Sequence, residues 1–205
     1  MKKEERKKVG ILGGTFNPIH FGHLLLAESA RDRLQLDKVL FIPTGTNPYK
    51  QDIEDAGVDH RYNMTKIAIV SNPYFDISTI EMEREGVTYT VDTLKELDEI
   101  YEDTDFYFIS GADIIFQIHQ WKEAKNLLKK LKIVTTFRPG YDGKCLTRRI
   151  RELNENDGAD ITNLDTLEID VSSSEIRSRV KKGHSIRYLL PQRVLKYIYE
   201  NNLYR

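Results

Sequence analysis

The sequence contains one cysteine, Cys145, in 205 residues. A single cysteine excludes an internal disulfide and a metal site built from cysteines alone. No apolar run approaches the roughly 18 residues that a membrane span needs. The charged start, residues 1–8, has no apolar core after it, so it does not look like a secretory signal. We therefore expect a cytoplasmic protein without a membrane partner.

An excess of charge of either sign is also missing. The chain has 31 basic and 32 acidic residues, for a net charge of −1. Bulk electrostatic binding of nucleic acid needs a basic surface, so a nucleic-acid partner is not expected. The balance still allows a local basic site for a small anion. No internal repeat or low-complexity tract is present, and the oligomeric state stays open between a monomer and a homo-oligomer.

Apolar runs and helix-period segments alternate through most of the chain. This alternation predicts an α/β fold with a parallel sheet covered by helices on both faces. We expect a single domain over residues 1–205, with an α/β core at about 8–170 and a helical segment at 171–205. The expected strands cover residues 8–12, 39–42, 75–77, 105–110, 133–137 and 166–169. The expected helices cover residues 24–34, 61–70, 88–101, 113–118, 121–128, 146–153, 172–180 and 191–201. Residues 44–60 lack any period and are predicted to form a mobile loop.

A strand, a glycine pair and a helix start follow each other directly at residues 9–24. This succession is typical of phosphate-binding sites, because the helix start offers backbone N–H groups and the positive end of its dipole. Gly13 and Gly14 let a ligand approach the main chain, and Gly22 lets it pass the helix start. His20 and His23 can donate hydrogen bonds to phosphate oxygens and stabilise charge there. They could instead be ordinary surface or core histidines. A metal site is less favoured, since no third ligand lies nearby in the sequence.

A second motif, Ser172-Ser173-Ser174-Glu175-Ile176-Arg177, has the spacing of a capping box, with Ser172 as the cap and Glu175 three residues on. The helix that it predicts would offer N–H groups and serine hydroxyls to an anion. Arg177 adds a guanidinium that can bind phosphate with two hydrogen bonds. An ordinary capped helix with an exposed arginine is the alternative.

Residues 13–23 resemble the GGTFxPxHxGH signature of the nucleotidyltransferase superfamily, and residues 172–177 resemble its second box, ISSTxIR. Further stretches are similar to the bacterial nicotinate-nucleotide adenylyltransferases: residues 88–94, 111–113 with Trp121, 138–141 and 202–205. The resemblance implies a Rossmann-like nucleotidyltransferase fold. It also implies transfer of AMP from ATP, with Mg²⁺, to nicotinate mononucleotide, giving deamido-NAD and pyrophosphate. The mononucleotide phosphate would attack directly, without a covalent enzyme intermediate.

The resemblance also implies roles for particular residues, which are carried over by motif. His20, His23 and Arg177 would be catalytic. ATP would be bound by the residues of both phosphate motifs and by the end of a central strand: Gly13, Gly14, Thr15, Phe16, His20, His23, Gly111, Asp113, Ser173, Ser174 and Arg177. The nicotinate nucleotide would be bound by Thr90, Trp121, Lys122 and Lys50. No residue is assigned to a resident metal.

Several positions depart from the family pattern or remain open. Asn17 stands where Asp is common, Tyr49 where His is usual, and Lys122 where Tyr follows the tryptophan. The tryptophan could serve core packing alone, and a basic pair at His60 and Arg61 could lie on a helix surface. Three other functions remain as alternatives: pantetheine-phosphate adenylyltransferase, a cytidylyltransferase, or a regulatory nucleotide-binding module without turnover.

Overall fold

The computed structural model describes residues 6–45, 56–136, 143–167 and 169–205. Strands and helices alternate along these ranges. The strands are β1 Lys7–Gly14, β2 Lys38–Pro43, β3 Phe75–Ile77, β4 Thr104–Gly111, β5 Lys132–Thr136 and β6 Asp160–Leu164. The helices are α1 Phe21–Leu34, α2 Val58–Ile69, α3 Thr90–Ile100, α4 Ala112–Gln117, α5 Ala124–Lys130, α6 Gly143–Asp157, α7 Ser173–Lys181 and α8 Gln192–Glu200, with a 3₁₀ turn at Ile118–Gln120.

The six strands form one parallel sheet with the order β3-β2-β1-β4-β5-β6. Apolar residues face each other across the central strands, with Val9 opposite Phe106 and Phe108 opposite Ile133. The chain order reverses between β1 and β4. Because crossovers between parallel strands are right-handed, this reversal places helices on both faces. The predicted α/β fold with a parallel sheet is confirmed. A reversal of this kind is where such sheets bind ligands, beyond the carboxyl ends of the strands.

The chain divides into two compact units. The first unit comprises residues 1–12, 26–40 and 89–168, and the second comprises residues 13–25, 41–88 and 169–205. The first has a core of buried aliphatic side chains that includes Leu97, Ile109 and Leu128. In the second unit Phe41 and Met64 are buried, as are residues of the two C-terminal helices such as Ile176 and Ile198. Helices α2 and α8 contact each other in this second unit.

One predicted strand is wrong. Residues 166–169 were expected as the last strand, but Thr166 and Leu167 have no regular structure, and Leu167 is largely exposed. The last strand is β6, Asp160–Leu164, which pairs with β5 and buries Ile161 and Leu164. Three of its five residues are polar, so no apolar run marks it in the sequence. Its edge position explains this composition, because an edge strand buries fewer side chains than a central one.

Four helix starts, those of α1, α2, α5 and α6, differ from the prediction by three residues. Helix α2 begins at Val58, so His60 and Arg61 lie inside it, and the predicted loop ends earlier. The predicted helix at 121–128 begins only at Ala124, because Trp121 has extended backbone angles and Glu123 a left-handed one. Within the described ranges, no helix combines the length and apolar character that crossing a membrane requires.

Candidate active site

The glycine pair of the first motif ends strand β1. A Cβ atom on Gly14 would lie 2.9 Å from the Phe16 ring, so this ring occupies the space that a side chain would need. Phe16 itself is buried and has a left-handed φ of 49°. Gly13 is exposed, and among the described residues no heavy atom lies within 4 Å of a Cβ built there. The turn is therefore packed on one side at Gly14 and open at Gly13.

The two histidines of the motif contact each other directly. Their ring centroids lie 3.7 Å apart with an interplanar angle of 26°, a stacked arrangement. The backbone N–H of His20 donates to Nδ1 of His23, with 3.2 Å between the nitrogens. Since Nδ1 accepts, the proton of the neutral His23 ring is on Nε2, which makes that nitrogen a donor. The edge of the Phe16 ring also meets His23, at a centroid distance of 5.1 Å.

Gly22 makes room for this stacked pair. A Cβ atom at Gly22 would lie 3.0 Å from both Cε1 and Nδ1 of His20. A side chain there would push against a ring that is only 5% exposed. The first turn of α1 is also hydrogen-bonded to the C-terminal segment, because the Phe21 N–H donates to the carbonyl of Leu189 at 3.1 Å. The spacing of two histidines around a glycine thus follows from packing as well as from any contact with a ligand.

The second predicted motif forms the start of α7 as expected. The Ser172 hydroxyl accepts from the Glu175 N–H at 3.1 Å, so the predicted helix cap is present. The Ser173 hydroxyl donates to the carbonyl of Pro18 at 2.8 Å. This bond links the second motif to the first within the second compact unit.

Arg177 makes the other link between the two motifs. Its Nη1 donates to the backbone carbonyl of Asn17 at 2.8 Å, and its Nη2 donates to the Ser174 hydroxyl at 3.3 Å. The guanidinium is therefore held in a defined plane by two acceptors. The structure brings Arg177, Ser173 and Ser174 to the turn that carries His20 and His23. Donors from both motifs converge on one turn, which is the arrangement that a polyphosphate requires.

Arg61 is a residue of this region whose place the sequence left open. It is 1% exposed, although it lies in helix α2. Its Nη1 donates to the carbonyls of Thr15, at 2.9 Å, and Thr44, at 2.7 Å, and its Nη2 donates to Gly45 at 3.3 Å. The alternative of a surface arginine is wrong. Arg61 stabilises the backbone around the glycine turn, and the only sequence signal for this is its helical spacing to the buried Met64.

The residues predicted to contact adenosine and nicotinate lie in the first compact unit. Gly111 ends β4, and the Asp113 carboxylate folds over it, with Oδ1 2.6 Å from where a Cβ would stand. Thr90 is the first residue of α3. The Trp121 ring is half-buried and meets the Phe108 ring edge-on at 5.7 Å, which agrees with a packing role on one side of the indole.

Lys122 already has partners in the protein. Its Nζ lies 3.0 Å from Oδ2 of Asp92 and 4.7 Å from the centroid of the Tyr89 ring. These contacts neutralise its charge, so the proposed charge contact with substrate would have to compete with Asp92. The predicted residues Lys50 and Tyr49 and the stretch 138–141 lie outside the described residues.

A family model described as cytidylyltransferase-like matches residues 11–179. Three similar proteins carry the name probable nicotinate-nucleotide adenylyltransferase. The one from Thermoanaerobacter sp. is 44% identical over 203 residues, covering 98% of this chain and 96% of the relative. Those from Desulfitobacterium hafniense strain Y51 and Clostridium tetani are 43% and 41% identical over 202 and 201 residues. Each alignment covers 97% of this chain, with 96% and 100% of the relatives.

Solved structures show the same fold at lower identity. The Plasmodium falciparum nicotinic acid mononucleotide adenylyltransferase complexed with NaAD has a TM-score of 0.78 at 22% identity. The same enzyme complexed with APC has a TM-score of 0.75 at 21% identity. Both comparisons cover 97% of each chain. The likeness therefore extends over nearly the whole fold.

Proposed function

Because the chain belongs to the nicotinate-nucleotide adenylyltransferases of the cytidylyltransferase-like family, we propose that it transfers AMP from ATP to nicotinate mononucleotide, forming deamido-NAD and pyrophosphate. The relatives support this reaction, since they share 40–44% of residues over almost the full chain. The fold supports it as well, because a parallel α/β sheet places its motifs at strand ends.

The observation that carries the proposal is the meeting of donors from both motifs on one turn. His20 and His23 stack at the start of α1, and the Arg177 guanidinium is bonded to the Asn17 carbonyl in the same turn. Imidazole and guanidinium donors placed together in this way match the charge of a polyphosphate.

The reaction needs alignment and charge stabilisation rather than a protein nucleophile. A phosphate oxygen of nicotinate mononucleotide attacks the α-phosphorus of ATP, and the bond from that phosphorus to the bridging oxygen breaks to release pyrophosphate. Negative charge builds on the leaving pyrophosphate. In our proposal Nε2 of His23 donates to a phosphate oxygen, and His20 stabilises the same charge from its stacked position. Arg177 and Ser174 hold the outer phosphates.

Mg²⁺ is proposed to enter with the nucleotide, as MgATP. When bound, the ion would neutralise negative charge on the leaving pyrophosphate, next to the donors of His23 and Arg177. Among the described residues, no three His, Cys, Asp or Glu side chains cluster closely enough to hold a metal. We assign the ion to the substrate, because it would reach the site on the ATP phosphates.

The nicotinate end is assigned to Thr90 and Trp121. One face of an indole can stack on a pyridine ring, while a threonine hydroxyl or a main-chain N–H at the start of α3 can bind the ring carboxylate. Thr90 supports this assignment by standing at the first position of its helix. Lys122 is proposed to act only indirectly, since Asp92 and Tyr89 hold its ammonium group.

The proposal is tested by turnover with pure substrates. The protein is incubated with MgATP and either nicotinate or nicotinamide mononucleotide, and released pyrophosphate and dinucleotide are quantified. We expect turnover with both products in equal amounts and a preference for the acid. If neither mononucleotide leads to release of pyrophosphate, the proposed enzymatic activity is refuted. A preference for nicotinamide mononucleotide would refute the assigned substrate. Replacing MgATP by MgCTP tests whether the enzyme prefers ATP as the nucleotide donor, because the family model is described as cytidylyltransferase-like.

The cellular location is proposed to be the cytoplasm, because the reaction consumes ATP, which is made and held there. The sequence leaves the oligomeric state open between a monomer and a homo-oligomer, and sedimentation is the direct measurement.

A further inference from the structure

The last residues of the chain return to the first phosphate motif. Helix α8 ends in a Schellman motif: the Leu203 N–H donates to the Ile198 carbonyl, and the Asn202 N–H donates to that of Tyr199. Asn202 takes the left-handed φ of 52° that this motif requires, a conformation that asparagine tolerates well. The chain therefore turns sharply after α8, and Tyr204 follows this turn.

Tyr204 is buried against the motif rather than exposed at a loose end. The side chain is 5% exposed, and its hydroxyl donates to Oδ1 of Asn17 over 2.6 Å. Tyr204 has a left-handed φ of 63°, which is uncommon for an aromatic residue and is held only where surrounding contacts require it. The hydroxyl contact is thus part of a specific fit at the C-terminus.

Asn17 connects Tyr204 with the phosphate motifs. It is 3% exposed, and its Oδ1 also accepts from the Ala56 N–H at 3.3 Å. Two donors on one oxygen set the orientation of the side-chain amide. The backbone carbonyl of the same residue accepts from Nη1 of Arg177 at 2.8 Å. Tyr204 and Arg177 therefore bind the same residue from two directions.

We propose that Tyr204 is a positioning residue for the ATP phosphates, acting through Asn17 on the guanidinium of Arg177. The planar guanidinium binds phosphate well only in one orientation, and the Asn17 carbonyl sets that orientation. Without the tyrosine hydroxyl, Asn17 shifts toward its remaining partners, and the plane of Arg177 shifts with it. This inference rests on the proposed role of Arg177 as a phosphate ligand.

The test is Tyr204→Phe, which keeps the ring and removes the hydroxyl. One positioning hydrogen bond corresponds to about a threefold to tenfold effect. We expect kcat/KM for MgATP to fall by that factor and the Kd for pyrophosphate to rise equally. The KM for nicotinate mononucleotide stays unchanged. All measurements are made well below the Tm of each variant, so that a loss of stability cannot imitate the effect.

Tyr197→Phe is the matched control in the same C-terminal segment. The Tyr197 hydroxyl pairs with Nδ1 of His60 at 2.9 Å and accepts from Asn63 at 3.2 Å, so it ties α8 to α2 without touching the motif. This variant should lower the Tm and leave pyrophosphate binding unchanged. If Tyr204→Phe also lowers only the Tm, Tyr204 is a stability anchor and the proposal is wrong.

Variants at Asn17 test whether Tyr204 acts on Arg177 through Asn17. In an Asn17→Ala background, which lacks the acceptor, Tyr204→Phe should have no further effect on pyrophosphate affinity. Asn17→Asp keeps an acceptor oxygen, so the full effect should return there. If Tyr204→Phe weakens pyrophosphate binding in the Asn17→Ala background as much as in the wild type, the route through Asn17 is wrong. If the Asn17→Ala protein does not fold, the Asn17→Asp background decides, and loss of the Tyr204→Phe effect there would also show that the route is wrong. Failure of the proposed reaction is distinguishable, because it abolishes wild-type turnover while the binding measurements still report on Tyr204.

Discussion

The stacked rings of His20 and His23 put two imidazoles side by side at the start of α1, with a proton on Nε2 of His23. Donors that meet charge as it develops contribute the largest single share of catalysis in many enzymes. We expect His20→Ala to lower kcat by about 10²-fold or more, the typical cost of one such donor. The measurement is steady-state turnover on protein whose folding has been checked by circular dichroism.

A histidine outside the motif provides the control for this substitution. His119 is half-exposed, and its Nε2 lies 3.7 Å from a carboxylate oxygen of Asp157. His119→Ala should leave kcat nearly unchanged, because this side chain belongs to neither phosphate motif. Near-normal turnover of a folded His20→Ala protein would contradict the catalytic role of His20.

Gly13 and Gly14 are neighbours with different steric surroundings. A methyl group at Gly13 meets no described atom within 4 Å, whereas one at Gly14 meets the Phe16 ring at 2.9 Å. We expect Gly13→Ala to keep the wild-type Tm but to lower turnover, because the methyl group enters the space of the ligand. Gly14→Ala should lower turnover and also the Tm, because overpacking against the ring reduces the free energy of unfolding by about 1–3 kcal/mol. Equal turnover of wild type and Gly13→Ala would show that no ligand passes there.

Between elements, Arg61 connects helix α2 to the chain around the ends of β1 and β2. Its guanidinium donates to three backbone carbonyls, and the side chain is almost fully buried. Arg61→Met removes these donors and leaves three part-buried carbonyls without this partner, so the free energy of unfolding should fall by about 2–4 kcal/mol. Urea denaturation measures this loss. Arg148→Met, on the exposed face of α6, is the matched control and should stay within about 0.5 kcal/mol.

Asp105, in β4, forms ion pairs with residues of both neighbouring segments. Its carboxylate lies 2.8 Å from Nε of Arg6, before β1, and 2.9 Å from Nζ of Lys132, in β5. The hydrogen bond from Lys132 is the main reason that the pKa of Asp105 lies below its ordinary 3.8, and the same bond raises the pKa of Lys132 above 10.5. The stabilisation is therefore present above pH 3.8, and it is lost as the pH falls through the lowered pKa of Asp105.

The lowered pKa of Asp105 predicts how the stability of an Asp105→Asn variant, relative to wild type, changes with pH. Near neutral pH the variant should be less stable than wild type, by less than about 1 kcal/mol because solvent screens a partly exposed pair. The difference should close as the pH is lowered below 3.8. Thermal unfolding of both proteins across the acid range gives the result.

For the molecule as a whole, the two compact units divide the predicted ligand contacts. The phosphate motifs belong to the second unit, and Thr90, Trp121, Gly111 and Asp113 belong to the first. Binding to the folded state alone stabilises by mass action, by about 2.7 kcal/mol at a ligand concentration of 100 times the Kd. MgATP should therefore raise the Tm of the wild type. Arg177→Met should reduce this rise and Arg148→Met should not. An equal rise in all three proteins would exclude Arg177 from nucleotide binding.

Much of the fold follows from local pattern. Central strands such as β1, β2 and β4 are continuous apolar runs, because both of their faces are covered, and this is visible residue by residue. The cap of α7 is equally local, since Ser172 and Glu175 are three residues apart. Strand β6 is not marked in this way, because its place in the sheet is decided by pairing with β5. Pairing partners distant in the sequence leave little trace in local composition.

Residue types at short spacing are enough to predict the parallel α/β class, both phosphate motifs and the family. The relatives and the fold confirm the class and the family, whereas the phosphate-binding role of the two motifs stays a prediction. Only the tertiary structure decided that Arg61 is buried, that Lys122 is held by Asp92, and that Tyr204 reaches Asn17. Asn17 and Tyr204 are 187 positions apart, so no local period connects them. Their contact depends on how the chain turns after α8, and that is a property of the packed molecule.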